Sequence, residues 1–572
     1  MGASNVEERL LASVGKAGPV APRFEAAADV PAAGVLCALP ALLACGLLRH
    51  SDAHLRLPRG YYSLPSVLLL LACMALARVR SVEKLRYYAP GEWGNVLGLD
   101  RIPEVRTLRE KIALLSDNRE AVEQWSAELA QQWMQDDPDS AGTLYVDGHV
   151  RVYHGQLTDL PRRYVARQRL CLRGTTDYWV NGLDGQPFFV VTPEIDPGLL
   201  QVLEHDIVPR LERALPLAGR DSGHRFLLVF DRAGYSAAFF ARMWKRRIAC
   251  LSYHKFPGED WPVEEFVSTA VGLPAGEQVE WELCERGSWL PVRDAKLGEP
   301  QGIWLREIRK RTADGHQVAI LSTDRDTAAP RLAAIMFGRW AQENFFRYMM
   351  EHFALDRMIE HGTESIPETT RLTNPRRRTL ETQIRSKTSR LARRLSEFGA
   401  LSYDGAIAPA QIERFEQKKA LLQQQITDLK EQVVTLKAQR DKLPTHITVQ
   451  ELPAEQRFER LRAESKRFID TIKMIAYRAE TAMTNILRDV LARTDDAREL
   501  LRAVYNNDAD LIPDYQTQTL TVRVHHLANR MSTAALQYLC DQLTATETVF
   551  PGTNLRLVYI LVSSQNPGDQ EV

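Results

Sequence analysis

The chain has no excess of either charge: 73 Lys and Arg residues balance 73 Asp and Glu residues over 572 positions. That excludes a global field drawing the whole molecule to a polyanion, so any contact with nucleic acid has to come from local patches. Cysteine is scarce. The seven present (Cys37, Cys45, Cys73, Cys171, Cys250, Cys284 and Cys540) are scattered, with no CxxC and no paired His spacing that would build a zinc site. A reduced intracellular compartment fits this usage. The N-terminus has a mixed polar stretch with Glu7, Glu8 and Arg9 in place of a basic segment leading into an apolar one, so it does not read as a secretory signal. Long apolar runs are nearly missing too. Val30 to Leu48 and Tyr61 to Ala77 are free of charge for 19 and 17 residues, close to the ~20 needed to span a bilayer. The first contains Pro31, Gly34, Pro40 and Gly46 and the second Pro65, and nothing later is apolar enough to join them. Buried helices of a soluble domain are therefore expected, with a transmembrane hairpin as the alternative.

What is present is ordinary globular composition, 45% hydrophobic and 26% charged, in a chain long enough for two to four domains at a prior of about 150 residues each. Residues 1–134 read as a helical domain, whose short helices around Pro90-Gly91 and Pro103 suit a DNA-end reader or a packing module equally. From Thr143 the period turns strand-like. TLYVDGHVRVYHG reads as a strand, a tight turn at Asp147-Gly148 and a returning strand, and YWVNGLDGQPFFVVTPE as a third extended stretch. An amphipathic helix from about Gly198 to Ala214 follows. RFLLVFDRAGYS is an apolar run of the kind buried on both sheet faces, ending in Asp231. A helix (SAAFFARMWKRR) and a strand (IACLSYHKF) complete residues 135–260. Residues 261–323 hold short strand-like pieces separated by Gly and Asp. A long helix in 324–366 carries Glu343 near its middle.

Residues 367–450 combine a basic connector with a heptad segment. Between Arg371 and Arg394 stand nine basic residues, Arg376, Arg377 and Arg378 among them, against the single acid Glu381. A solvated helix would normally mix its signs. Phe415, Leu422, Ile426, Leu429, Val433, Leu436 and Leu443 fall on alternating three- and four-residue steps, with Lys419 and Arg440 in the missing positions. They predict a coiled coil, as a hairpin or as a dimer zipper. Residues 451–572 read as helices ending in a small αβ cap.

Three carboxylates stand out. Asp147 is on the first strand, Asp231 ends an apolar strand 84 residues later, and Glu343 lies 112 residues further on in a helix. Strand and helix carboxylates can converge on hard divalent cations despite such intervals. A lone Asp after a strand is usually a turn or a cap, so only the conjunction of three placements points to a metal site. Asp324 and Asp326 rival Glu343 as the third ligand, but from a loop, which holds a ligand less rigidly. Arg339, Glu343 and Arg347 repeat at four-residue steps, on one helical face, where the arginines could meet phosphates or form a surface ion-pair ladder. His149 and His154 flank the first strand pair and read as structural; Trp179, Trp244 and Trp340 read as core.

In these residues the chain resembles the insertion-sequence DDE transposases that carry a β-strand insertion before the catalytic Glu. In that family the Glu sits in a Tyr-x2-Arg-x3-Glu-x6-Lys signature. Asp147 in YVDGHV, Asp231 in LLVFDRAGY and Glu343 in RWAQENFF match its three places, and LSTD and GLDRIPEVRTLREKI extend the likeness. Met336 stands where Tyr is usual and Met350 where Lys is usual, with Arg347 as a substitute for that Lys. The resemblance implies a multi-domain α/β protein with an RNase H-like mixed sheet. It implies an enzyme that cleaves and joins DNA at the ends of a mobile element, holding two magnesium or manganese ions on Asp147, Asp231 and Glu343. Double-stranded DNA would be the partner, bound by a homodimer, with Arg339, Arg347, Arg376, Arg377 and Arg378 on phosphates, in the cytoplasm at the nucleoid. A repurposed, non-cleaving DNA binder is the second reading and a membrane-associated coiled-coil protein the third.

Overall fold

A computed structural model of the chain describes residues 6–152, 162–165, 170–193, 196–215, 223–273, 276–292, 301–337, 340–355, 363–365, 371–401, 412–452, 459–461 and 464–562. Its contacts divide it into two units. Residues 1–154, 162–362 and 461–572 form the first; 155–161 and 363–460 form the second. The architecture is mixed α/β.

Strands form where β-branched and aromatic residues alternate or run together. In chain order they are β1 (Ala27–Val30), β2 (Thr143–Val152), β3 (Arg162–Val165), β4 (Leu170–Asn181), β5 (Pro187–Val191), β6 (Leu227–Phe230) and β7 (Ala249–Tyr253). There follow β8 (Val267–Gly272), β9 (Gln278–Pro291), β10 (Gly302–Arg311), β11 (Gln317–Ser322), β12 (Thr363–Ser365), β13 (Arg371–Thr373), β14 (His446–Thr448) and β15 (Glu459–Leu461). The last are β16 (Ala509–Asp514), β17 (Thr519–Val524) and β18 (Arg556–Leu561).

In the first unit a ten-stranded sheet is ordered β3-β4-β2-β6-β7-β11-β10-β9-β8, with β5 also on β4. β4 runs antiparallel to β2 and β5 antiparallel to β4, whereas β6 and then β7 run parallel to β2. The parallel pairs need crossovers. These are the helical stretch Leu199–Ala214, which contains a π turn at Leu203–Ile207, and the helix Ala237–Lys245. The inserted strands β8 to β11 extend this same sheet, because β11 pairs antiparallel with β7.

One expectation fails here. Asp147 and Gly148 are not a turn: β2 runs through them, with Asp147 opposite Trp179 and Gly148 opposite Tyr178. The glycine serves close packing, since a Cβ on Gly148 would lie 3.0 Å from the Tyr178 ring. The real hairpin is inside the third extended stretch, where β4 and β5 are joined at residues 182–186.

The two apolar N-terminal runs are interior. Ala33–Ala38, Leu39–Ala44 and Leu64–Leu76 bury nearly every side chain, the last helix being started by Ser63, whose side chain accepts from the Ser66 N–H, with Pro65 in its first turn. Among the described residues no helix is long and apolar enough to cross a membrane. The N- and C-terminal segments share this core: β1 joins β16, β17 and β18 in a four-stranded sheet.

The helix Glu464–Leu487 runs through that shared core and is buried on most of its faces, although it carries Lys466, Arg467, Asp470, Lys473, Arg478 and Glu480 among its buried residues. Each buried charge has a partner. Lys466 pairs with Asp470; Arg467 donates to the Thr192 carbonyl at 2.7 Å, Lys473 to that of Ala354 at 3.2 Å, and Arg478 to that of Pro187 at 3.1 Å. Glu480, fully buried, receives Arg78 at 2.6 Å, Arg498 at 3.2 Å and the Tyr348 hydroxyl. Burial, and then the Glu480 charge, push the Tyr348 hydroxyl well above its ordinary range, which keeps it a donor.

The second unit is built on two long helices, Pro375–Leu401 and Ile412–Asp441, packed antiparallel. The supposed basic connector is thus a strand residue, Arg371 of β13, followed by a 27-residue helix. The heptad positions Leu422, Ile426 and Val433 are buried, and in the first helix Ile384 is buried with Leu380 and Leu391 half-buried. The apolar seam is covered within one chain, so pairing of two chains would need another surface. Arg377 closes the open end, donating to the carbonyls of Arg440 at 3.1 Å and Leu443 at 2.8 Å. β13 pairs with β14, and β12 with β15.

Breaking a buried ion pair by neutralising one partner leaves the other charge stranded. Glu480→Gln, which strands Arg78 and Arg498, is expected to lower the unfolding free energy by about 3–5 kcal/mol in urea titrations. A loss below about 1 kcal/mol would show the cluster to be solvated and its charges independent.

Candidate functional site

The site starts from two neighbouring parallel strands. β2 and β6 pair with Val146 opposite Phe230, so the next residues, Asp147 and Asp231, stand side by side at about the inter-strand spacing of 4.8 Å. Alternation fixes their face. Tyr145, Leu227 and Val229 belong to one small core with Leu251, Ile320, Leu332, Ile335 and Met336, and Asp147 and Asp231 continue the same period-two rows. Both residues are half-buried. Asp147 Oδ1 accepts from the Gly148 N–H at 2.8 Å and Asp231 Oδ1 from the Ala233 N–H at 2.9 Å. These caps orient one oxygen of each carboxylate.

That face is covered by the helices Ala329–Phe337 and Trp340–Phe353. Their contacts bracket Asp147. On one side the Tyr145 hydroxyl donates to the Ile335 carbonyl at 2.9 Å. On the other, Phe346 stacks on His149 with ring centroids 5.2 Å apart, and Phe345 lies 5.3 Å from Trp179, the cross-strand partner of Asp147. Tyr145 and His149 are the same-face neighbours of Asp147 two residues either way. The closing segment is therefore pinned to the sheet before and after Glu343, which is a helical residue in between. The side chain of Glu343 and the whole of Arg339 lie outside the described residues, as does His154. Arg347 is exposed, its guanidinium 3.3 Å from Asn344 Oδ1. Arg376 and Arg378 are exposed on the hairpin, whereas Arg377 is held inside it.

The rivals for the third carboxylate stand elsewhere. β11 is antiparallel to β7, with Ser322 opposite Leu251 and the Thr323 N–H on the Cys250 carbonyl. Asp324 thus reaches the level of Ala249, at the start of β7, while Asp231 is level with Tyr253 at its end. Four residues at 3.3 Å each put roughly 13 Å between them along the strands. Asp324 and Asp326 cannot complete a site with Asp147 and Asp231.

Other placements were not legible from spacing. At the end of β7 the buried His254 Nδ1 lies 3.3 Å from Glu307 Oε2, and Arg309 holds the other Glu307 oxygen at 2.8 Å. Burial disfavours the charged Glu307, but hydrogen bonds from His254 and Arg309 outweigh it and hold the carboxyl below its ordinary range. No motif joins residues so far apart in sequence. Trp179 is core, as read; Trp244 is not, being 42% exposed with the Arg325 guanidinium 4.6 Å from its ring centroid. The Trp340 side chain is outside the described residues. Among the described residues a further acidic group, Asp29, Asp510 and His525, is an ion-pair cluster: Arg523 occupies Asp510 Oδ2 at 2.7 Å and the Asp29 N–H occupies Oδ1 at 2.8 Å.

As for a metal, Asp147 and Asp231 offer hard oxygen donors from two adjacent strands, which fits a magnesium- or manganese-class ion. Comparison with known proteins adds the class. Curated proteins give no match to the chain. Residues 1–563 match the family described as "Transposase protein", and with nearly the whole chain covered the protein belongs to that transposase family.

Proposed function

We propose that this transposase is of the DDE type: Asp147, Asp231 and Glu343 hold two divalent cations and cleave and join DNA at the ends of its element. The observation that carries this reading is that Asp147 and Asp231 directly follow the paired Val146 and Phe230 of two adjacent parallel strands, under a closing segment held to the sheet at Ile335 and at Phe346, before and after Glu343. The strand order β5-β4-β2-β6-β7, antiparallel then parallel, supports an RNase H-like core, with β8 to β11 as the insertion.

Magnesium or manganese bound there would supply activation of the attacking oxygen and stabilisation of the leaving oxygen. The chain's own part is positional. Strands fix Asp147 and Asp231, and the Gly148 and Ala233 N–H groups orient one oxygen of each carboxylate. The stacked Phe346 and His149, with Phe345 on Trp179, set the height of the helix bearing Glu343. Such rigid support is what a reactive geometry needs.

The three carboxylates act as a unit, so Asp147→Ala, Asp231→Ala and Glu343→Ala are each expected to abolish cleavage of end-containing DNA, a double variant being little worse than a single. Binding of those ends should survive. The control Asp324→Ala should retain cleavage, as its place across the sheet requires. Normal cleavage by Glu343→Ala would remove the third ligand, and normal cleavage by all three the metal site itself.

Contacts to DNA phosphates fall to the exposed Arg347, Arg376 and Arg378. Replacing Arg376 and Arg378 with Gln should weaken binding to all sequences alike and lower the salt slope by up to about one unit per contact. Arg377 is not equivalent, because its loss opens the hairpin. An unchanged slope in filter binding would take this helix out of the interface.

A further inference from the structure

At the end of the sheet opposite Asp147 and Asp231, three residues from two separate loops meet. His224 precedes β6, and Asp324 and Asp326 lie between β11 and the helix Ala329–Phe337. One ligand atom of each lies within 4.8 Å of the others. Asp324 is 1% exposed. Its Oδ1 is fully used, accepting from the N–H groups of Asp326 at 2.9 Å and Thr327 at 3.0 Å. Its Oδ2 is buried with no hydrogen-bond partner.

The orphaned oxygen is the independent sign of a ligand. The loop turn accounts for Oδ1 alone. Hydrogen bonds from Thr327 and Asp326, with His224 beside them, outweigh burial and keep the carboxyl below its ordinary range, so a charged oxygen is left facing His224. His224 Nε2 is 3.7 Å away, too long for a hydrogen bond. Two ligands of a four-coordinate ion, each bonded at about 2.0–2.1 Å, lie roughly 3.4 Å apart. The spacing fits an ion between them. Asp326 is exposed and supplies both a third donor and solvent access. Neighbouring cations are engaged elsewhere: Arg306 pairs with Glu285 and donates to the Asp324 carbonyl, and Arg325 lies over Trp244.

We propose that His224, Asp324 and Asp326 form a structural divalent-cation site, of the zinc or manganese class that suits one imidazole and two carboxylates. It ties the loop entering β6 to the loop that follows β11, across the sheet from the reactive carboxylates, so its loss is expected to lower stability and leave cleavage by the folded chain intact. This site does not depend on the catalytic reading, because it lies across the sheet from Asp147 and Asp231.

The test uses the full-length chain carrying Asp147→Asn and Asp231→Asn, which removes the other carboxylate pair. Titration calorimetry and thermal melts with zinc chloride and with manganese chloride should show one ion per chain and a raised Tm. His224→Gln, and Asp324→Asn, which keeps the Oδ1 turn bonds, should each weaken binding by at least about tenfold. Should Asp324→Asn fail to fold, His224→Gln decides. Unchanged affinity in the variants, or no ion bound at pH 7.5, overturns the proposal. A Tm that rises only as pH falls through the histidine range, equally in EDTA, reduces the contact to a His224–Asp324 ion pair and overturns it as well.

Discussion

Everything in the larger unit is organised around one helix that ought to be costly to bury. Glu464–Leu487 carries six charged side chains among its buried residues, and an isolated charge in such surroundings loses several kcal/mol of hydration. The cost is offset only if each charge meets its partner, and the partners sit on distant pieces of chain: Arg78 near the start, Thr192 after β5, Tyr348 and Ala354 on the closing segment, Arg498 near the end. A shift of any of these would strand a charge. The helix therefore dictates one relative arrangement of the N-terminal core, the sheet and the closing helix, which burial of Leu and Val alone would leave looser.

That arrangement has a chemical consequence. The helix carrying Glu343 is clamped at its far end by Tyr348 on Glu480 and near its middle by Phe345 and Phe346 on Trp179 and His149. The two ends of the sheet also differ in kind. On β2 and at the end of β6 are half-buried carboxylates with backbone caps; at the starts of β6 and β7 a buried carboxylate oxygen faces a histidine. Acidic residues of one protein are separated in this way into two sets that cannot exchange partners.

Much of this was legible because the signals were local. The apolar run ending in Asp231 and the amphipathic Leu199–Ala214 each became the element their period implied, and the heptad positions from Phe415 to Leu436 lie on one helix, Ile412–Asp441. Asp147-Gly148 misled, because glycine beside aspartate is turn chemistry unless a cross-strand ring needs the space, and only the register reveals Tyr178 there. The Arg371–Arg394 segment hid a second seam: Leu380, Ile384 and Leu391 keep heptad steps, but the arginines between them dominate the composition. The buried charge partners could not be read at all, since Arg78 and Glu480 are 402 residues apart. Pairings of that kind follow from tertiary packing and leave no pattern in one sequence.

The central claim is that Asp147 and Asp231 form a cation site together with Glu343. Anomalous diffraction from crystals soaked in manganese chloride tests it directly. The account predicts a manganese peak about 2.1 Å from a carboxylate oxygen of both Asp147 and Asp231, with Glu343 turned towards it. Manganese bound only elsewhere, with these two carboxylates carrying none at saturating metal, would contradict it.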